Sequence, residues 1–262
     1  MHYKNINMNK FDINKIKWVK GWNNLPEAYY PVKIPSVTHI INSLIPDPEL
    51  DKWIKKVGKE EADKITEAAS NRGTSFHIFL ENFLTIYSKT KDSSKSLNFT
   101  QIESPKLLEK QKIPQNKIDE GRNLFYNFYY SEYVHQFENI LALELGIYSK
   151  LSLYRGKLDI FYKNRIFGPS ISDFKSANSL IKKGSIKEIK FKYQLGAYAN
   201  ALDEMYESKG IKINHASILC INTKKEELQE ITCEGKELEK FKNDFKTLCH
   251  EFHIINKQQL FN

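Results

Sequence analysis

Leu141-Ala142-Leu143-Glu144-Leu145-Gly146-Ile147-Tyr148 puts leucine or isoleucine at every second place, the period of a β-strand with one apolar face. A second run, Tyr154-Arg155-Gly156-Lys157-Leu158-Asp159-Ile160-Phe161-Tyr162-Lys163, and a third from Arg165 to Phe174 follow, and Asn164 to Pro169 between them supplies the residues of a short turn. Glu144 is the one acid of the first strand and is expected opposite Leu143 and Leu145, where an ionised group needs solvent, a partner or a metal.

On either side the period changes to that of helices. Upstream, Ser36 is a capping residue for a helix from Val37, a second helix fits Pro48 to Val57, and a third runs from Lys59 to Tyr87 with Ile65, Ala69, Phe76, Leu80 and Phe83 on one face. Lys89 to Ser104 is lysine, serine, threonine and asparagine with few apolar residues, and is expected to be a mobile loop or hinge. A helix over Lys117 to Gln136 crowds Phe125, Tyr126, Phe128, Tyr129, Tyr130 and Tyr133 together, either as core or as rings that stack on unpaired bases. Downstream come a helix over Ser185 to Tyr206, strands at Ala216 to Asn222 and Leu228 to Thr232, and a closing helix from Glu234 to about Ile254.

This order predicts an α/β (α+β) fold with a small central mixed sheet flanked by helices and a helical N-terminal region. One domain is expected over 35–262, its helical part at 35–136 and its sheet core at 137–262, after an extension at 1–34.

The 262 residues can bury a full core, and 40% hydrophobic with 27% charged residues is the balance of a soluble globular protein. No run of about 18 apolar residues and no secretory leader is present, which predicts an intracellular, soluble protein without a membrane partner, in a bacterial or phage-infected cytoplasm rather than a mitochondrial matrix. The lysine- and asparagine-rich first twenty residues leave an organelle-targeting segment open as the alternative. Cys220, Cys233 and Cys249 are widely spaced without a C-x-x-C pair, which speaks against a disulfide framework, a zinc site or an iron–sulfur cluster. A net charge of +8 suits a polyanionic partner, and equally the drift of an AT-rich genome toward lysine.

Asp173-Phe174-Lys175 places an acid and a lysine on one face of a strand. The same spacing recurs at Glu188, Glu207, Glu234 and Asp244, so position must single it out. If the hairpin is symmetric about Ile166, Asp159 faces Asp173 across it at about 4.5–5.5 Å between Cβ atoms. Opposed carboxylates repel; a divalent cation between them removes the penalty, and oxygen ligands suit Mg²⁺ or Mn²⁺. A slipped register would leave both acids simply exposed. His77 and Glu81 share a helix face at i and i+4, as do Gln194 and Tyr198 later, with Lys187 and Lys190 one and two turns before them on a stripe that could follow a phosphate backbone. Taken singly, these are also ordinary core and surface residues.

In combination, Arg72-Gly73-Thr74-Ser75-Phe76-His77, Leu80-Glu81, Glu144, Gly156-Lys157-Leu158-Asp159, Asp173-Phe174-Lys175 and Gln194-Leu195-Gly196-Ala197-Tyr198 resemble the RecB-type branch of the PD-(D/E)XK nucleases. Pro35-Ser36-Val37-Thr38, Trp53 and Val57-Gly58 resemble the part of that branch holding the mitochondrial genome maintenance exonuclease and its phage relatives. The likeness spans about residues 35 to 205 and implies a restriction-endonuclease-like core. It further implies His77, Asp159, Asp173 and the Phe174 carbonyl as ligands of Mg²⁺ or Mn²⁺. Lys175 would orient and help deprotonate the attacking water, Glu144 would bind metal or its water, and Gln194 and Tyr198 would hold the lysine and the DNA. Arg72, Lys187 and Lys190 are the further expected DNA contacts. The implied activity is exonucleolytic hydrolysis of DNA, on single-stranded or flap ends, in replication, repair or recombination, by a monomer. A degenerate module that binds DNA ends without cutting and an RNA-directed nuclease are the alternatives. The proline that names the superfamily is absent before Asp159, and the cysteine quartet of iron–sulfur members is absent.

Overall fold

A computed structural model of the chain describes residues 34–260 apart from 138 and 226. The extension expected at 1–34, except Ile34, and the targeting segment considered within it lie outside the described residues.

The N-terminal helices begin where their caps are. Ser36 Oγ accepts the N–H of His39 at 3.1 Å and opens α1 (Val37–Leu44), and Asp47 accepts the N–H of Leu50 at 3.2 Å, with Pro48 at the first helical place, to open α2 (Pro48–Val57). Gly58, at φ +85°, turns the chain directly into the long α3 (Lys59–Thr90).

The loop expected at Lys89 to Ser104 is instead mostly helix, α4 (Ser93–Lys110). Asp92 caps it by accepting the N–H of Lys95 at 2.9 Å. Its buried face is Ser96, Thr100, Ser104 and Leu108, four residues apart in turn. The hydroxyls satisfy themselves: Ser96 donates to the Asp92 carbonyl at 2.6 Å, Thr100 to the Ser96 carbonyl at 2.8 Å, and Asn82 of α3 donates to Ser104 at 2.9 Å. Small hydroxyl side chains let α4 lie close on α3, and that close approach replaces the apolar stripe a surface helix normally shows. The aromatic helix also ends earlier than expected: α5 (Gln115–Tyr129) gives way to a 3₁₀ turn at Glu132–Phe137.

The sheet holds β1 (Ile140–Ser149), β2 (Tyr154–Asn164), β3 (Gly168–Ala177), β4 (His215–Asn222) and β5 (Leu228–Glu234), side by side in that order. β3 and β4 run parallel, joined through α6 (Ile186–Met205); the other neighbours are antiparallel, so the sheet is mixed. α7 (Gly235–Leu260) closes the chain. One core fills the space between the sheet and α1, α6 and α7, with Leu158, Phe161, Ile171, Leu195 and Phe245. The other lies under α3 and α5, with Phe76, Phe79, Phe83, Phe125, Phe128 and Phe174. The sheet is therefore the middle layer of an α/β fold. Most of the tyrosine and phenylalanine cluster of α5 belongs to this second core, and Tyr130 alone of its rings is largely exposed.

Candidate active site

The β2–β3 hairpin has the register read from the sequence. Asn164 pairs with Gly168 and Ile160 with Ser172, both symmetric about Ile166, and Asn164 Oδ1 makes the turn by accepting the N–H groups of Ile166 at 2.8 Å and Phe167 at 3.2 Å. The ladder stops one pair short of Asp159 and Asp173. There Asp159 Oδ2 takes the N–H of Phe174 at 2.7 Å, so a side chain replaces the strand-to-strand hydrogen bond.

The faces of two strands invert at the same level. Residues two apart on a strand share a face, yet Leu158 packs in the α6-side core and Ile160 in the α3-side core, with Asp159 between them. In β1, Leu145 packs on the α6 side and Leu143 on the α3 side, with Glu144 between them at φ +49°. The expectation that Leu143 and Leu145 share a face opposite Glu144 is thus corrected: a left-handed residue turns the strand over at Glu144. Such a conformation costs a non-glycine residue of order 1 kcal/mol and tends to mark functional positions.

Side chains from three elements meet in this gap. His77 of α3 sets Nδ1 3.5 Å from Asp159 Oδ1. One donor atom each of His77, Glu144 and Asp159 lie within 4.8 Å of one another, and this group could hold a metal ion. The pocket they line with Leu80, Glu81, Leu84, Leu143 and Phe174 has about 10 Å³ of free volume, room for a single water or ion. An imidazole with carboxylates at that separation fits a small divalent cation, though it does not select among Mg²⁺, Mn²⁺ and their neighbours. Phe174 is anchored from the other end, its ring edge-on to Phe76, Phe128 and Phe137 in the α3-side core.

Asp173 and Lys175 form the adjoining half of the site. The Lys175 ammonium bonds Asp173 Oδ2, and Gln194 Nε2 lies 3.5 Å from the same oxygen while donating to Tyr198 Oη at 2.8 Å. Asp173 is not in the three-residue group that includes Asp159, but the two carboxylates are close enough to repel. Burial and Asp159 push Asp173 up to about 7, against the pull of Lys175 and His77. Burial alone would raise Asp159 too, but His77, Lys175 and the Phe174 N–H hold it down at about 2. Burial would lower His77 and Lys175; the carboxylates outweigh it and raise both, so Lys175 stays an ammonium. Burial and Asp159 raise Glu144 in spite of Lys157.

Gly156 and Tyr198, far apart in sequence, touch. A Cβ on Gly156 would come within 2.7 Å of Tyr198 Cε1, which gives the glycine of Gly156-Lys157-Leu158-Asp159 a steric reason. The remaining expected DNA contacts lie outside this cluster. Arg72 is held by Glu120 at 3.8 Å and Asn178 at 3.5 Å; Lys190 reaches Asn42 at 3.3 Å and Asp47 at 3.9 Å; Lys187 is exposed, 5.9 Å over the Phe191 ring. Lys157 was assigned no role from sequence, yet it is ion-paired to Glu144. The signal was its register: Lys157 pairs with Gly146, which makes Glu144 its diagonal neighbour.

Cys220, Cys233 and Cys249 are free and buried. Among the described residues no helix is long and apolar enough to cross a membrane. No family model and no curated protein matches the chain. Among solved structures, a crystal structure of a protein from Eubacterium rectale, provisionally named an exonuclease, is similar to it at a TM-score of 0.43 and 10% identity over 67% of this chain. The chain spans 64% of the length of that protein, and a likeness of this size does not define a shared activity.

Proposed function

We propose that this chain is a metal-dependent exonuclease of the PD-(D/E)XK type, RecB-like branch, that hydrolyses DNA from single-stranded or flap ends. One observation carries the reading: His77, Glu144, Asp159, Asp173, Lys175 and Gln194, spread over more than a hundred positions, converge where the β2–β3 ladder opens, with a half-buried ammonium beside the acids.

His77, Asp159 and Glu144, with Asp173 and the Phe174 carbonyl beside them, would hold Mg²⁺ or Mn²⁺, which supplies a Lewis acid for a phosphoryl oxygen and lowers the pKa of coordinated water. Lys175 stays charged and would work by position, steadying the negative charge that builds on the phosphorus centre. A protonated lysine takes no proton from water, so Lys175 would orient the nucleophile, while Asp173, beside a bound cation, would be held as a carboxylate that helps to ligate it. Gln194, tied to both Asp173 and Tyr198, keeps that carboxylate in place. The +8 net charge favours approach of a polyanion.

The test is single-stranded DNA labelled at the 5′ or the 3′ end, incubated with Mg²⁺, Mn²⁺ or EDTA. The reading expects stepwise shortening from an end, abolished by EDTA and reduced at least about 100-fold by Lys175→Ala. No product with either metal would contradict the nuclease reading; a circular strand cut as fast as a linear one would contradict the exonuclease part. Matched RNA oligonucleotides test the choice of DNA.

A further inference from the structure

Each acid of the site has a basic partner: Asp159 has His77, Asp173 has Lys175, and Glu144 has Lys157. The first two partners have places in the reading above. Lys157 does not, and it differs from Lys175 in one respect: its side chain is 67% exposed, against 28%. Its ammonium sits on Glu144, close enough for Asp159 and Glu81 also to act on its charge. An exposed lysine is held weakly, because water and salt screen the pair and the long stem is free to swing. Glu144, by contrast, is 17% exposed and fixed by a left-handed backbone turn.

We propose that Lys157 is a displaceable counter-ion that occupies Glu144 in place of a divalent cation and yields it when a phosphate of the substrate draws the ammonium away. The proposal rests on the metal-dependent reading of the site. With Lys157 on Glu144, a cation entering the pocket meets a carboxylate already neutralised and a like charge within a few ångströms, and its affinity is lowered. With Lys157 turned to a phosphodiester, Glu144 is free to ligate. Metal and nucleic acid then favour each other's binding, and by linkage the coupling has the same size from either side. The chain would load its metal chiefly where substrate is present.

Mn²⁺ titrations by calorimetry or electron paramagnetic resonance test this without turnover. Lys157→Gln is expected to tighten Mn²⁺ on the order of tenfold, chiefly because it frees the Glu144 carboxylate to ligate the ion. Lys157→Arg keeps the charge and is expected to stay within about twofold of wild type. In a Glu144→Gln background the effect of Lys157→Gln should fall below about twofold, because the carboxylate that the lysine blocks is gone. In a second arm, anisotropy of a labelled single-stranded oligonucleotide is compared in Ca²⁺ and in EDTA: the gain in affinity with metal should shrink several-fold in Lys157→Gln. Tightening by Lys157→Gln that persists undiminished in Glu144→Gln overturns the proposal, and so does wild-type affinity in Lys157→Gln. If wild type binds Mn²⁺ but the lysine variants do not differ, only the counter-ion role fails; if wild type binds no Mn²⁺, the metal-dependent reading fails with it. Thermal melts in EDTA verify that each variant is folded.

Discussion

Asp173 and Asp159 are neighbours with opposite electrostatic histories, and the difference sets how the protein responds to pH. Asp159 is held at about 2, so its pairing stabilises the fold above the ordinary carboxylate range and is lost as pH falls toward that value. Asp173 is raised to about 7, which reverses the sign: the fold binds that proton more tightly than the unfolded chain, and stability is lost as pH rises from about 4 to about 7. Asp173→Asn removes the charge while keeping the shape. In EDTA at pH 8 it should stabilise the protein by about 1–3 kcal/mol, and by less than half as much at pH 5, as urea unfolding would read. A loss of stability at pH 8 would show that the Lys175 pair outweighs the repulsion. The same variant should be inactive, the usual trade of a strained site. Strand parity made Asp173 and Lys175 legible in the sequence, and the turn at Asn164 made the partnership with Asp159 legible. The bond from Asp159 to the Phe174 N–H was not, because it exists only where the ladder stops.

At the scale of elements, two readings of the sequence went astray for physical reasons. The alternating leucines of β1 look alike whichever core they enter, so nothing in Leu143-Glu144-Leu145 betrays the inversion at Glu144; that requires a backbone angle. The Lys89 to Ser104 stretch reads as a loop because its buried face is hydroxyl rather than apolar, though Asp92 three residues before Lys95 is a fair cap signal. Hydrogen exchange should therefore find amides from Thr100 to Leu108 protected well beyond those of a mobile loop, and Asp92→Ala should cost about 1 kcal/mol. Free exchange across that stretch would contradict the helix. The packing of β2 on α6 gives a further expectation. Gly156→Ala drives a methyl group into the Tyr198 ring, and should destabilise by about 1–3 kcal/mol. Activity should fall more than stability explains, since Tyr198 is bonded to Gln194 and Gln194 to Asp173. Unchanged cleavage in a folded Gly156→Ala protein would separate Tyr198 from the site.

For the molecule as a whole, the order of helices and strands was readable because long periodic runs with caps and turns leave few alternatives, and the mixed sheet between two helical layers follows from them. The site was readable only as a set of separate acids, a histidine and a lysine; what joins them is the opening of the sheet between β2 and β3 under α3. A cation bound only by the folded state stabilises it, by about 2.7 kcal/mol at a hundredfold excess over its Kd. Melting temperatures should accordingly rise with Mn²⁺, and rise less in Asp159→Ala and His77→Ala. The position of that ion is decisive: an anomalous difference map from crystals soaked in Mn²⁺ should show a peak in the small pocket, within coordinating distance of His77, Glu144 and Asp159; an empty pocket at saturating Mn²⁺, or a peak only at acids elsewhere on the surface, would contradict a metal-dependent site here.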